Sequence, residues 1–170
     1  MLRKYLNEVF IETGTYEGGG VATALEAGFP RVYSIEIAPR YYKIACQYFD
    51  GNLRVKLFFG DSAVRMREIL NEVTVPATFW IDAHLPQDGA QHLPIWGNNP
   101  VLFELVAIAQ HSVKTHTIIF DDLNDYGTSL HDNITVDQLK AQCLTINPAY
   151  QFTYENGRLE NSILVAQVPA

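Results

Sequence analysis

Cysteine is scarce in this chain of 170 residues: only Cys46 and Cys143 occur, and they form no Cys-x-x-Cys pair. That excludes a disulfide scaffold, a structural zinc site and a dithiol redox centre. Each thiol falls in a helical-looking segment and reads as a packing group. Long apolar runs are also missing. Nothing approaches the roughly 20 residues needed to span a bilayer, so no membrane insertion is expected. Met1-Leu2-Arg3-Lys4-Tyr5 leads directly toward strand-like sequence. It offers no apolar signal stretch and no small-residue cleavage site, and a cytoplasmic location is the expectation. Basic residues are few, 12 Lys and Arg against 19 Asp and Glu, for a formal charge of -7. Neutralising a row of phosphates needs clustered cations, so a nucleic-acid surface is excluded and a small molecule is the expected partner. No repeat, low-complexity tract or linker interrupts the chain. Residues 1–170 read as a single domain, long enough to bury roughly 70% of its unfolded surface.

Apolar patterning predicts strands alternating with helices. Glu8–Thr13 reads as a first strand, followed by the small-residue stretch from Gly14 to Gly20 and a helix carrying Val21, Ala24 and Leu25. A second strand over Arg31–Ile37 precedes a helix opened by Pro39, with Tyr41, Ile44, Ala45 and Tyr48 at helical spacing. Val55–Phe59 is the third strand. Gly60-Asp61-Ser62 turns the chain into a helix with Met66, Ile69, Leu70 and Val73. The fourth strand, Ala77–Ile81, is apolar throughout, as a strand covered on both faces should be, and runs into Asp82-Ala83-His84. A loop to Asn98 leads to a helix capped by Asn99-Pro100, and the fifth strand, Thr117–Phe120, runs into Asp121-Asp122. Thr135-x-x-Gln138 is a capping-box start. Two strands near the C-terminus, around Tyr150–Tyr154 and Asn161–Val165, flank Asn156-Gly157, the signal for a tight antiparallel hairpin. The expected fold is α/β: a Rossmann-like, doubly wound, mostly parallel seven-stranded sheet with helices on both faces and a reversed C-terminal hairpin.

Ligands of such sheets collect beyond the carboxyl ends of the strands. The first end, Glu12-Thr13-Gly14-Thr15-Tyr16-Glu17-Gly18, allows close backbone approach beside a helix N-terminus. Glu36 lies 36 − 14 = 22 residues after Gly14, near the spacing at which a carboxylate accepts from ribose hydroxyls. Asp61 is placed to accept from an adenine amino group, and it also reads as a helix N-cap.

These residues resemble the class I S-adenosylmethionine-dependent methyltransferases. Glu12 to Gly18 looks like their first motif in the Glu-x-Gly-Thr-x-x-Gly form of catechol, caffeoyl-coenzyme A and macrolide-sugar O-methyltransferases. Glu36 matches the acidic ribose ligand, Gly60-Asp61-Ser62 the adenine-side motif, and the terminal hairpin the reversed seventh strand. The resemblance implies S-adenosylmethionine as cofactor, held by Glu12, Gly14, Thr15, Tyr16, Gly18, Glu36, Ile37, Asp61, Ser62 and Asp82.

Asp82, Asp121 and Asp122 would converge at the same edge, where carboxylates repel unless a proton or a hard cation such as Mg2+ neutralises them. The arrangement looks like that of metal-dependent O-methyltransferases and cephalosporin-hydroxylase-like proteins. It implies Asp82, Asp121 and Asp122 as magnesium ligands, with Asp82 and His84 catalytic, His84 acting as base or secondary ligand. His92, Trp96, Tyr126 and His131 are expected at the acceptor pocket or as ordinary loop residues, and His111 and His116 as structural. The implied reaction is O-methylation of a small-molecule hydroxyl. A metal-dependent hydroxylase-like or hydrolytic enzyme and a non-catalytic cofactor-binding module are the alternatives, with a nicotinamide oxidoreductase the weakest rival. Because the chain begins almost at its first strand, the pocket is expected to be open or to be covered by the second subunit of a homodimer.

Overall fold

The computed structural model describes residues 1–84 and 97–169. Seven strands form one sheet: β1 Val9–Thr13, β2 Arg31–Glu36, β3 Val55–Phe59, β4 Ala77–Ile81, β5 Thr117–Phe120, β6 Gln151–Glu155 and β7 Ile163–Gln167. Their order is β3-β2-β1-β4-β5-β7-β6, parallel from β3 to β5, with β7 antiparallel to both β5 and β6. The helices are α1 Gly19–Ala27, α2 Pro39–Tyr48, α3 Ser62–Leu70, α4 Val101–Gln110 and α5 Val136–Ile146. Among the described residues no helix is long and apolar enough to cross a membrane.

Parallel neighbours need crossovers, and each crossover puts a helix on a face. The alternation of side chains along β1 shows the result. Val9 and Ile11 pack in one core with Met66, Ile69, Leu105, Ile108, Leu139 and Cys143, from α3, α4 and α5. Phe10 points the other way, toward Val21 and Ala24 of α1 and Ala45 of α2. The chain winds outward from β1 to β3 along one face and returns to β4 along the other. That reversal leaves a crevice between the carboxyl ends of β1 and β4, the switch point at which ligands of this architecture bind.

The C-terminal turn departs from the expected two-residue hairpin. Between Glu155 and Ile163 lie residues 156–162, and Asn161 rather than Gly157 adopts positive φ, at 54°. Gly157 instead donates its N–H to Leu159 O and Ser162 Oγ, at 3.1 Å each. Asn161 donates its own to Asn156 Oδ1 at 3.0 Å. Side-chain bonds within the loop thus replace the type I′ turn, and both strands start one to two residues later than the apolar pattern suggests.

Candidate functional site

Gly14 ends β1 with φ of 86°, and its N–H donates to Ile35 O at 3.0 Å. A Cβ there would lie 2.6 Å from Asp82 O, so only glycine lets the ends of β1 and β4 come this close. Thr13 Oγ1 accepts from Asp82 N at 3.2 Å and fastens the two ends together. Thr15 turns its hydroxyl inward, 2.6 Å from Ser34 Oγ, and Ser34 donates in turn to Glu12 Oε2 at 2.6 Å.

Glu12 is buried beneath the first turn of α1. A Cβ on Gly20 would fall 1.7 Å from Glu12 Oε1, so the last glycine of the run is required by packing. Gly18 is the N-cap of α1. Burial pushes the Glu12 carboxyl up to about 8; Ser34 opposes the shift, and Asp82 and Glu36 add to it.

Glu36 ends β2 with its carboxylate clamped by two backbone donors. Tyr16 N donates to Oε2 and Ala38 N to Oε1, both at 2.7 Å. A carboxylate has about four acceptor positions, so capacity remains for two further donors. The Tyr16 ring packs on Tyr41 with centroids 4.4 Å apart. Asp61 caps α3 through Oδ1, which accepts from Ala63 N at 2.9 Å, while its buried Oδ2 has no partner. One oxygen of Asp61 thus caps the helix, and the other, closed to solvent, has no partner among the described residues.

These groups share a cavity of about 510 Å³ lined by Gly14, Glu36, Ile37, Asp61, Ser62 and Asp82, with His84 and Asp122 at one end. That volume is ordinary for a small-molecule site. Its polar lining is rich in acceptors, so it fits a ligand that brings donors, such as an amino group and hydroxyls.

Asp82, His84 and Asp122 each place a ligand atom within 4.8 Å of the others. His84 Nδ1 stands 3.4 Å from Asp82 Oδ1, and that contact raises the imidazole's pKa against the opposing effect of burial. Asp122 sits at φ 54°, a left-handed conformation costly for a non-glycine residue. Burial raises its carboxyl's pKa, with Asp82 adding to the rise. Asp121, expected from sequence as a third aspartate ligand, is not among these three, although it stands near enough to Asp82, Asp122 and His84 for their charges to act on it. Successive residues leaving a strand point to opposite sides. Asp121 accordingly lines a second cavity, of about 450 Å³, with Glu12, Gly14, Gly20 and Trp80 on the α1 side. Burial pushes it up to about 6.

His131 is buried, stacked on Tyr126 at 4.2 Å and hydrogen-bonded to Asn99, with its ring 5.3 Å from His84. It therefore supports the wall behind His84. His92 and Trp96 lie outside the described residues. His111 and His116 pair at 2.9 Å at the opposite end of β5, where Ala77 N donates to His116 Nδ1, confirming their structural role.

Sequence reasoning missed Glu104. It sits on the buried stripe of α4 at 0% exposure, beside the hydroxyls of Ser62 and Thr13. Burial pushes it up to about 7, partly offset by those two hydroxyls and reinforced by Asp61 and Asp82. The available signal was an acid at helical spacing with Val101, Leu105 and Ile108.

No protein-family model matches this chain, nor does any curated protein. Solved structures do match. The SAH-bound methyltransferase PaMTH1 of Podospora anserina superposes with a TM-score of 0.62 over 96% of this chain and 72% of its own, at 12% identity. The O-methyltransferase of Bacillus cereus in complex with SAH gives 0.62 over 95% and 74%, at 20% identity. SAM-bound CalS10 of Micromonospora echinaspora, an amino pentose methyltransferase, gives 0.57 over 95% and 83%, at 15% identity. The fold is thus the Rossmann-like fold of class I S-adenosylmethionine-dependent methyltransferases.

Proposed function

We propose that this chain is an S-adenosylmethionine-dependent methyltransferase acting on a hydroxyl of a small-molecule acceptor, assisted by a divalent cation. The observation that carries the reading is Asp61 Oδ2, a buried acceptor without a partner, in one cavity with the ribose-type carboxylate of Glu36. Buried polar atoms without partners are rare, and a missing ligand donor is one of the few explanations. In this reading the adenine amino group donates to Asp61, the ribose hydroxyls donate to Glu36, and Gly14 gives the ligand access to the backbone.

The cofactor supplies an electrophilic methyl group; the protein's contribution is to align it with the acceptor and exclude alternatives. Asp82 and Asp122 would hold the cation, Mg2+ being the hard ion suited to carboxylates. A bound cation lowers the pKa of an acceptor hydroxyl and fixes its direction. His84, with Nδ1 turned to Asp82, presents Nε2 as the base for the hydroxyl proton. His84 would take the acceptor's hydroxyl proton at Nε2 as that oxygen gains the methyl group and the thioether leaves.

The same cluster supports a second assignment, His84 as third metal ligand. His84→Ala then weakens cation binding; as the base, it leaves cation affinity intact and lowers turnover. The proposal itself is tested by calorimetric titration with S-adenosylmethionine. Saturable one-to-one binding that Glu36→Ala abolishes is expected. No heat at millimolar ligand overturns the reading, and cation binding without cofactor binding would favour the hydroxylase-like alternative.

A further inference from the structure

Arg158 is the one lysine or arginine among the lining residues of the larger cavity. It lies in the β6–β7 loop and lines the cavity together with His84 and Asp122. The loop is a fixed platform rather than a loose tip. Besides the two bonds of Gly157 N–H, Ser162 Oγ donates to Leu159 O at 3.0 Å, and Leu123 N donates to Ser162 O at 2.9 Å. The second of these ties the loop to the residue that follows Asp122. Among the described residues no hydrogen bond or ion pair engages the Arg158 guanidinium, although four acids share its cavity.

Those four acids already have roles in the proposed chemistry. Glu36 and Asp61 face the cofactor; Asp82 and Asp122 face the cation. A guanidinium left over at the acceptor end presents planar, paired donors that match the oxygens of a carboxylate or phosphate. Binding a remote charged group is also an effective way to orient a small acceptor for an in-line transfer. Resting on the methyltransferase reading above, we infer that the acceptor carries an anionic oxygen group which Arg158 binds while the reacting hydroxyl faces Asp122 and His84. Arg158 is then a specificity-determining residue.

The test uses the protein saturated with SAH and Mg2+, titrated with three probes sharing a catechol ring: 3,4-dihydroxybenzoate, (3,4-dihydroxyphenyl)phosphonate and the neutral methyl 3,4-dihydroxybenzoate. At least one anionic probe should bind 10 to 100 times more tightly than the ester, in line with a charge-assisted pair. Which anion binds better separates a carboxylate-bearing from a phosphate-bearing acceptor. In Arg158→Gln the advantage over the ester should vanish, while Arg158→Lys should keep part of it. SAH affinity of the glutamine variant, within about twofold of wild type, reports an intact cofactor site. Binding of both anionic probes no tighter than that of the ester, no binding of any probe, or equal weakening of all three by Arg158→Gln overturns the inference. Failure of SAH itself to bind overturns the methyltransferase reading instead, so the two are distinguishable.

Discussion

Substituting Asp61 by asparagine separates the two jobs assigned to that side chain. Asparagine caps helices about as well as aspartate, and its carbonyl can keep the bond from Ala63 N, now 2.9 Å to Oδ1. The amide nitrogen then occupies the place of Oδ2, the buried atom without a partner. Flipping the amide would aim two N–H groups at the Ala63 N–H, so the orientation is set by the helix. Folding stability should fall by no more than about 1 kcal/mol, from the lost carboxylate charge at a helix N-terminus. Ligand affinity should fall much further, because an adenine amino donor would meet another donor. Losing one hydrogen bond to a charged group costs about 1.5–3 kcal/mol, or roughly 10- to 100-fold in Kd. Calorimetric titration with SAH alongside thermal melting gives both quantities. An Asp61→Asn protein that binds SAH within twofold of wild type refutes the assignment of Oδ2 to the ligand. Asp61→Ala is the contrast: it should lose the cap as well, about 1 kcal/mol and roughly 2–4 °C in Tm.

Three further outcomes are expected. Glu104 has a folded pKa of about 7 against an ordinary 4.5, so its contribution is favourable below pH 4.5 and is lost as pH rises through 7. The stability of Glu104→Gln relative to wild type should therefore improve by about 3 kcal/mol between pH 4 and pH 8, measured by urea unfolding, whereas parallel pH curves would show the carboxyl is not so perturbed. His116 has its pKa lowered to about 4 by burial, with His111 the next cause, so the unfolded chain takes up a proton that the folded one refuses as pH drops from 6.5 to 4. About 3 kcal/mol should be lost across that window and retained in His116→Gln, once the constant cost of removing the Ala77 contact is subtracted. Gly20→Ala forces a Cβ onto Glu12 Oε1 and should cost about 1–3 kcal/mol, yet little or nothing in a Glu12→Ala background; additive effects in the double mutant would mean the two do not collide.

Most of the sheet was legible because periodicity is a local property. Apolar strands alternating with amphipathic helices fix a doubly wound sheet, and Glu36 at the end of β2 and Asp61 just past β3 lie where such a sheet places its ligands. What remained hidden depends on direction and depth. Asp121 and Asp122 are adjacent and identical in type, so only the geometry at the end of β5 reveals that Asp122 groups with Asp82 and His84 while Asp121 lines the second cavity. The Asn156-Gly157 pair promised a tight turn, but the side chains of Ser162 and Asn156 offered competing bonds within a longer loop, which carries Arg158 to the cavity. Gly20 reads only as part of a small-residue stretch, and the Glu12 carboxyl packed against it supplies the reason it is glycine. Glu104 was overlooked because a single acid on an apolar stripe looks like noise in the pattern, and only burial shows that it lies under the site.

An adenosine-bearing ligand is expected in the cavity lined by Glu36 and Asp61. A crystal structure with SAH and a magnesium salt tests this most directly. The ribose should lie against Glu36, the adenine amino group against Asp61 Oδ2, and the cation between Asp82 and Asp122, with Asp121 uninvolved. SAH bound away from Glu36 and Asp61, or a soaked crystal whose cavity holds only solvent, would contradict it.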